Sequence, residues 1–152
     1  TNEKTTPIAS GKGPPSGDIR YTIPPEWTVG KPNAISLAAF KATDGDKQVD
    51  ITVSTAGGEL LANVNRWRGQ LGLPPIDSTE LKKNVQKIET LGSTGDYVEL
   101  VGSESAAKRK TILGVQANAG GRTWFIKLIG DSDLAAREKS RFETFVKSLQ
   151  LP

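Results

Sequence analysis

Residues 58–72 have the clearest helical period in the first half of the chain, and they separate two blocks of sequence that alternate with a period of two. Large apolar side chains recur there at helical spacing, at Leu60, Leu61, Val64, Trp67 and Leu71. Gly72 and Pro74 then follow in the order that is typical of a helix C-terminus. One amphipathic helix between two sets of strands favours folds in which that helix packs on a sheet.

The alternating segments predict antiparallel strands on both sides of this helix. Before it, residues 19–23 alternate up to a proline pair, and residues 36–42 and 48–54 form a hairpin around a turn at residues 44–46. After it, four strands are predicted, at residues 85–91, 95–101, 111–117 and 122–129. The last of these is apolar on both faces except at Lys127, so we expect it at the centre of the sheet with both faces covered.

Two further helices are predicted. A short one begins at Asp77, because Glu80 follows three residues later with the spacing of a capping box. The final helix is capped by residues 130–133, and its stripe consists of Leu134, Glu138, Phe142, Phe145, Val146 and Leu149. Strands, two helices, more strands and one helix, in that order, indicate an α+β fold rather than an alternation of strand and helix.

The sequence predicts a flexible N-terminal linker over residues 1–18 and a single domain over residues 19–152. The first segment is rich in Pro, Gly, Thr, Ser and Lys, and Ile8 is its only large apolar residue. Burial therefore cannot offset the entropy cost of ordering it. A polar tether of this kind suits a chain anchored upstream, for example through a lipid on a removed residue, and it suits an ordinary frayed terminus equally well.

Composition excludes several classes of site. The chain has no cysteine and no histidine, which removes disulfides, thiolate metal sites, a Ser-His-Asp triad and histidine-ligated zinc. The net charge of +3 is spread out, with residues 108–110 as its one tight basic run, so we expect no nucleic acid partner. No carboxylate pair is spaced for a metal or for acid–base chemistry, and we expect no cofactor. No apolar segment approaches the roughly 20 residues that span a bilayer.

Two groups of residues resemble a known family. The proline pair before Trp27, together with the closing strand and helix at residues 123–131 and 142–149, resembles the Mog1/PsbP-like α/β/α sandwich. Residues 63–72 with residues 123–128 resemble a group of uncharacterised bacterial envelope proteins, often predicted lipoproteins, that carry this domain. The resemblance implies a mostly antiparallel sheet of about six to seven strands flanked by helices. It also implies an extracytoplasmic, membrane-tethered domain with no assigned reaction.

The candidate binding residues lie on and near the helix of residues 58–72. Arginine suits carboxylate or phosphate, and amides both donate and accept hydrogen bonds. The candidates on the helix are Asn63, Asn65, Arg66, Arg68 and Gln70. Trp124 and Lys127 on the last strand join the same site if that strand lies beside the helix. The alternative is structural: Trp67 anchors the helix, an arginine pairs with an acid, and the amides cap neighbouring loops.

These features favour a non-catalytic binding or protein-interaction module of the bacterial cell envelope over an enzyme. Its partner would be an unknown envelope protein or a small anionic ligand, and it would meet the membrane only through a removed N-terminal anchor. One alternative is a domain that binds a small anionic ligand with the helix of Arg66 and Arg68. Another is a hydrolase with a Ser or Thr nucleophile, for which Lys would have to serve as the base.

Overall fold

The computed structural model of the protein describes residues 4–5, 19–30, 36–103 and 108–151. Strands in these ranges are β1 (Lys4–Thr5), β2 (Thr22–Ile23), β3 (Thr28–Val29), β4 (Ser36–Asp44), β5 (Lys47–Ala56), β6 (Gln86–Thr90), β7 (Ser93–Val101), β8 (Lys110–Ala119) and β9 (Arg122–Asp131). Helices are α1 (Leu60–Gln70), α2 (Ser78–Asn84) and α3 (Ser132–Ser148). All three predicted helices are present, and the fold class is α+β as predicted.

Strands β3 to β9 form one antiparallel sheet in the order β3-β4-β5-β9-β8-β7-β6. Strand β9 is the fourth of the seven, and it is hydrogen-bonded to β5 on one side and to β8 on the other. This confirms the central position that was predicted from its apolar character on both faces. Seven strands also lie within the predicted range.

Helices cover the sheet from both sides, and two hydrophobic clusters fill the two layers. Helix α3 packs on one face through a cluster that includes Ile51, Val53, Ile126, Leu128, Phe142 and Phe145. Helices α1 and α2 pack on the other face through a cluster that includes Val64, Trp67, Leu81, Leu100, Ile112 and Phe125. Successive residues of β9 belong alternately to the two clusters, as expected of a strand that is covered on both sides. The arrangement is the predicted α/β/α sandwich.

Both predicted N-terminal caps are present. The Asp77 carboxylate accepts a hydrogen bond from the backbone N–H of Glu80 at 2.8 Å, which starts α2. The Asp131 carboxylate accepts one from the backbone N–H of Leu134 at 3.0 Å, which starts α3. Each carboxylate satisfies a backbone donor that would otherwise have no partner within its helix, and each lies at the positive end of the helix dipole.

Residues 19–23 contribute a strand, as predicted, but that strand does not join the seven-stranded sheet. Strand β2 pairs with β1 in a separate two-stranded sheet, and Arg20 forms a bridge with Gln150 near the C-terminus. Ile19 and Tyr21 are nevertheless buried, in line with their alternation. Strand β3 takes the edge of the main sheet instead, and its two residues are too few to produce an alternating pattern.

The turn between β6 and β7 also differs from the prediction. The sequence predicts a turn at residues 92–94, but the turn lies at Leu91 and Gly92, whose φ angles are +55° and +72°. Leu91 is buried, and its backbone N–H donates to the carbonyl oxygen of Leu149 at 3.0 Å. Packing against the C-terminal segment therefore holds a leucine in a left-handed conformation that its local preference disfavours.

The linker predicted for residues 1–18 lies outside the described residues except for Lys4–Thr5, which pairs with β2. The division of the chain at residue 19 therefore stays a prediction. Within the described ranges, no helix is both long enough and apolar enough to cross a membrane.

Candidate functional site

Helix α1 carries five of the candidate residues. The chain turns at the C-terminus of this helix, so that the following segment lies back along it. The helix ends in a Schellman motif, in which the N–H of Leu73 donates to the Arg68 carbonyl at 2.9 Å and the N–H of Gly72 to the Gly69 carbonyl at 3.1 Å. Gly72 has a φ angle of +75°, which glycine adopts without strain. The chain reverses at this point, and residues 73–77 lie close to α1.

Trp67 anchors α1 to the sheet, as its place on the apolar stripe predicted. It is buried against β8, where a Cβ atom added to Gly114 would come within 3.0 Å of three atoms of the indole ring. Its ring also meets Phe125 of β9 edge-on, with 6.2 Å between the ring centroids. This close packing places α1 directly over β8 and β9.

Asn63 is a buried centre of hydrogen bonds, with only 1% of its surface exposed. Its Nδ2 donates to Gln116 Oε1 at 3.0 Å and to the Gly57 carbonyl at 3.4 Å, and its Oδ1 accepts from the Arg66 guanidinium at 2.8 Å. A buried amide whose two ends are both satisfied is held firmly in place. Asn63 therefore links α1 to β8, and its side-chain oxygen holds the Arg66 guanidinium in place.

Asn65 and Arg68 hold the segment that follows α1. The Asn65 side chain pairs with both backbone groups of Ile76, donating to its carbonyl at 2.9 Å and accepting from its N–H at 2.8 Å. The Nε of Arg68 donates to the Pro74 carbonyl at 2.7 Å. These contacts match the structural alternative for the two side chains, in which polar groups of the helix cap a neighbouring loop.

Arg66, Gln70 and Lys127 come together at the surface, and we name these three residues the cation patch. Lys127 lies on β9 beneath the end of α1, where its Nζ donates to Gln70 Oε1 at 3.0 Å. The same Nζ lies 5.8 Å from the centroid of the Trp67 ring, within the range of a cation–π contact. Arg66 and Gln70 are exposed and one helical turn apart, while Lys127 is half-buried.

No carboxylate among the described residues forms an ion pair with Arg66 or with Lys127. Burial lowers the pKa of the Lys127 ammonium below its ordinary value, and the nearby positive charge of Arg66 lowers that pKa further. Burial withdraws the ammonium from water and Arg66 repels it, so both effects disfavour the charged form of Lys127.

Trp124 does not join the other candidates. It is buried on the α3 side of the sheet, where its indole N–H donates to the Ala119 carbonyl at 3.0 Å. Trp124 and Lys127 are three residues apart on one strand, so their side chains project to opposite faces. The structure therefore places five predicted helix residues and Lys127 around α1, and it places Trp124 in the core of the other layer.

Two polar residues that the sequence analysis did not propose as site residues have defined roles. Gln116 supports Asn63 and donates to the Gly58 carbonyl at 3.3 Å, and its place on β8, two residues after Gly114, puts it on the α1 face. Glu138 is fully buried on α3, where it accepts from the indole of Trp27 at 2.9 Å and from Arg141 at 2.6 Å. In the sequence, Glu138 stands out as the one polar residue in the apolar stripe of the final helix.

The arrangement around α1 is suited to binding an anion. A guanidinium, an ammonium and an amide converge on one surface, and these groups are all hydrogen-bond donors or can become donors. In the parts of the chain that are described, no group of three or more Asp, Glu, His or Cys side chains has a geometry that could hold a metal ion.

Sequence comparison finds neither a family model nor a curated protein that matches the chain. Solved structures do match its fold. PsbP (CyanoP) from Synechocystis has a TM-score of 0.53 at 12% sequence identity, and the match covers 92% of this chain and 90% of that one. LpqN of Mycobacterium tuberculosis, described as involved in cell envelope biogenesis, has a TM-score of 0.52 at 14% identity, with 99% and 91% covered.

A protein from Bacteroides thetaiotaomicron also matches, with a TM-score of 0.52 at 11% identity. The match covers 90% of this chain but only 46% of the Bacteroides chain, so the present chain spans about half the length of that protein. At these identities the comparisons establish the fold and leave function to be argued from the site. The chain therefore has a PsbP-like α+β fold, with an antiparallel sheet of seven strands between helices.

Proposed function

We propose that this protein is a non-catalytic binding module of the bacterial cell envelope, and that it binds through the cation patch. The observation that carries the proposal is the meeting of Arg66 and Lys127 at one surface, with no ion-pair partner for either among the described residues. Unneutralised charge at a surface that is fixed by a packed helix favours recognition of a charged partner.

Two considerations support the cell envelope as its place of action. The fold matches LpqN over nearly the whole of both chains, and that protein is described as acting in cell envelope biogenesis. The polar sequence of residues 1–18 has the composition of a tether between an anchor and a domain. Likeness of fold is an analogy, so the location requires its own test.

Cell fractionation of the full-length protein tests the location. We expect the protein in the envelope fraction, where a protease added to cells with a permeabilised outer layer would degrade it while a cytoplasmic marker stays intact. Recovery of the protein in the soluble cytoplasmic fraction would contradict an envelope location.

Photo-crosslinking in cells with a permeabilised outer layer tests whether binding involves the cation patch. A photoreactive amino acid at position 70 is expected to give an adduct, and the same probe at exposed position 122 serves as the matched control. Adduct formation should fall on adding excess purified wild-type domain and should persist on adding Arg66→Gln domain. Equal adducts from positions 70 and 122, or equal competition by both domains, would refute binding through the patch.

A hydrolase with a Ser or Thr nucleophile is a weaker alternative. Thr52 of β5 is the register partner of Lys127 in β9, which brings a hydroxyl and a lysine of lowered pKa to neighbouring positions. However, the Lys127 ammonium donates to Gln70, and no hydrogen bond joins it to Thr52 in the described structure. A nucleophile and its base require that contact, so the geometry favours binding.

A further inference from the structure

The charge of Lys127 is unusual in its setting. Lysine lies here on the central strand of the sheet, between β5 and β8, beside the indole of Trp67. Its hydrogen-bond acceptor is the neutral Gln70 amide, and its charged neighbour is a second cation, Arg66. Removing an ammonium from water is unfavourable when no anion lies nearby. A bound negative group would therefore stabilise the charged form of Lys127.

Several other cations of the described structure have carboxylate partners. The pairs include Lys47 with Asp133 at 3.3 Å, Arg137 with Asp44 at 2.7 Å, Lys139 with Glu99 at 2.8 Å and Arg141 with Glu138 at 2.6 Å. Three of the four, Arg137, Lys139 and Arg141, belong to α3, on the opposite face of the sheet from α1. Arg66 and Lys127, on the α1 face, are two neighbouring cations that form no such pair with any described residue.

The donors of the patch are oriented before any ligand arrives. One nitrogen of the Arg66 guanidinium donates to Asn63 Oδ1, and Asn63 is itself fixed by Gln116 and Gly57. The remaining guanidinium N–H groups have no hydrogen-bond partner among the described residues. A guanidinium that is held along one edge has less conformational entropy to lose on binding, so it contributes more of its interaction to affinity.

We infer that the cation patch binds one small oxyanion, a phosphate or carboxylate group, between the guanidinium of Arg66 and the ammonium of Lys127. The guanidinium supplies a planar fork that matches two oxygens, and the ammonium supplies a point charge for the same group. Gln70 then exchanges its present hydrogen bond with Lys127 for one from its own amide N–H to the anion. The inference rests on the proposed function, because it names the ligand chemistry of the same site.

The size of the ligand follows from the number of cations. Two charges can neutralise one phosphate or carboxylate group, whereas a polyanion needs a row of them. Glu59 lies two helical turns before Arg66 on the same side of α1 and is exposed. Its negative charge would repel a second anionic group in that direction. The surface is therefore matched to a single compact anion.

NMR titration of the domain tests the inference, with inorganic phosphate and glucuronate as probes and chloride at matched ionic strength as the reference. We expect saturable shifts of the Gln70 side-chain amide and of the Trp67 indole N–H, with phosphate and glucuronate distinguishing the two ligand chemistries. Arg66→Gln and Lys127→Met should each weaken binding by about tenfold or more, as expected for loss of a charged hydrogen bond. Arg122→Gln removes the same charge from an exposed site on β9 and should leave binding unchanged.

Saturable binding that both patch variants lose and Arg122→Gln retains would support the inference. Absence of saturable shifts with either probe, or equal weakening in all three variants, would overturn it. The crosslinking experiment separates this result from the proposed function, because an adduct at position 70 with no response to small anions means that the patch binds a larger partner.

Discussion

At the scale of single residues, the proposed function depends mainly on Lys127. The sequence marks it as the one polar position on an otherwise apolar strand, and this was enough to predict a central strand. The sequence could not show that Lys127 faces α1 beside Arg66, because that contact joins residues 61 positions apart. Trp124 was grouped with it on sequence proximity, although a period of two already assigns the two side chains to opposite faces.

Replacing Lys127 with methionine should raise the free energy of unfolding at neutral pH by about 1 kcal/mol, because it removes a partly buried charge and retains the packing against Trp67. The folded-state pKa lies below the unfolded value near 10.5, so the folded state loses its proton first. Wild-type stability should therefore rise relative to the variant as pH increases through the interval between those two pKa values.

Urea unfolding from pH 7 to pH 10.5 measures this difference, with Lys82→Met as the control for an exposed lysine. A variant that is less stable than wild type at pH 7, or a difference that grows with pH, would contradict the account of Lys127.

Gly114 should not tolerate a larger side chain, because the indole of Trp67 occupies the space of its Cβ. Gly114→Ala is expected to destabilise the fold by about 1–3 kcal/mol through overpacking. Gly69→Ala is the matched control, since its added Cβ meets no atom within 4 Å and alanine favours a helix. Urea unfolding of the two variants measures both effects, and equal stability of the two would place Trp67 elsewhere.

At the scale of elements, the sequence predicted correctly those features that depend on residues close together in the chain. The caps at Asp77 and Asp131 and the stop at Gly72 are each read within a few residues, and each is present. Strand β3 and the turn at Leu91 were missed because their conformations depend on distant partners, β4 for the one and the C-terminal segment for the other. Sequence periodicity carries no information about such contacts.

The segment after α1 should depend on Asn65, which satisfies both backbone groups of Ile76. Asn65→Ala leaves those groups without a partner and should cost about 1–3 kcal/mol. Hydrogen exchange at the Ile76 amide should accelerate more than exchange in α3. Lys82→Ala, at an exposed position of α2, should leave stability and exchange nearly unchanged. Slow exchange at Ile76 in Asn65→Ala would show that the segment is held by other contacts.

At the scale of the whole molecule, the two layers divide their tasks. The α3 layer contains the larger hydrophobic cluster and a buried polar contact from Glu138 to Trp27, which ties α3 to the segment before the edge strand β3. The α1 layer contains the smaller cluster and carries the cation patch at its surface. We therefore expect changes in the α3 layer to alter stability without altering the anion binding that we propose for the α1 layer.

Glu138→Ala tests this division. It removes an acceptor from the Trp27 indole and from Arg141, and loss of hydrogen bonds to a charged group should cost about 2–3 kcal/mol of stability. The response of the cation patch to phosphate at a temperature where the variant is folded should not change. Glu89→Ala, at an exposed position, is the control for removal of a carboxylate. A stable Glu138 variant, or one with altered anion binding, would contradict the separation.

The central claim is that Arg66 and Lys127 form a site whose charge is compensated by a bound anion. The most direct test is the pKa of Lys127, measured by NMR of its side-chain Cε and Nζ in the free protein and with saturating phosphate. The account predicts a pKa below the ordinary value near 10.5 in the free protein and a rise on adding phosphate, which Arg66→Gln diminishes. A pKa at or above the ordinary value in the free protein, or one that phosphate leaves unchanged, would contradict it.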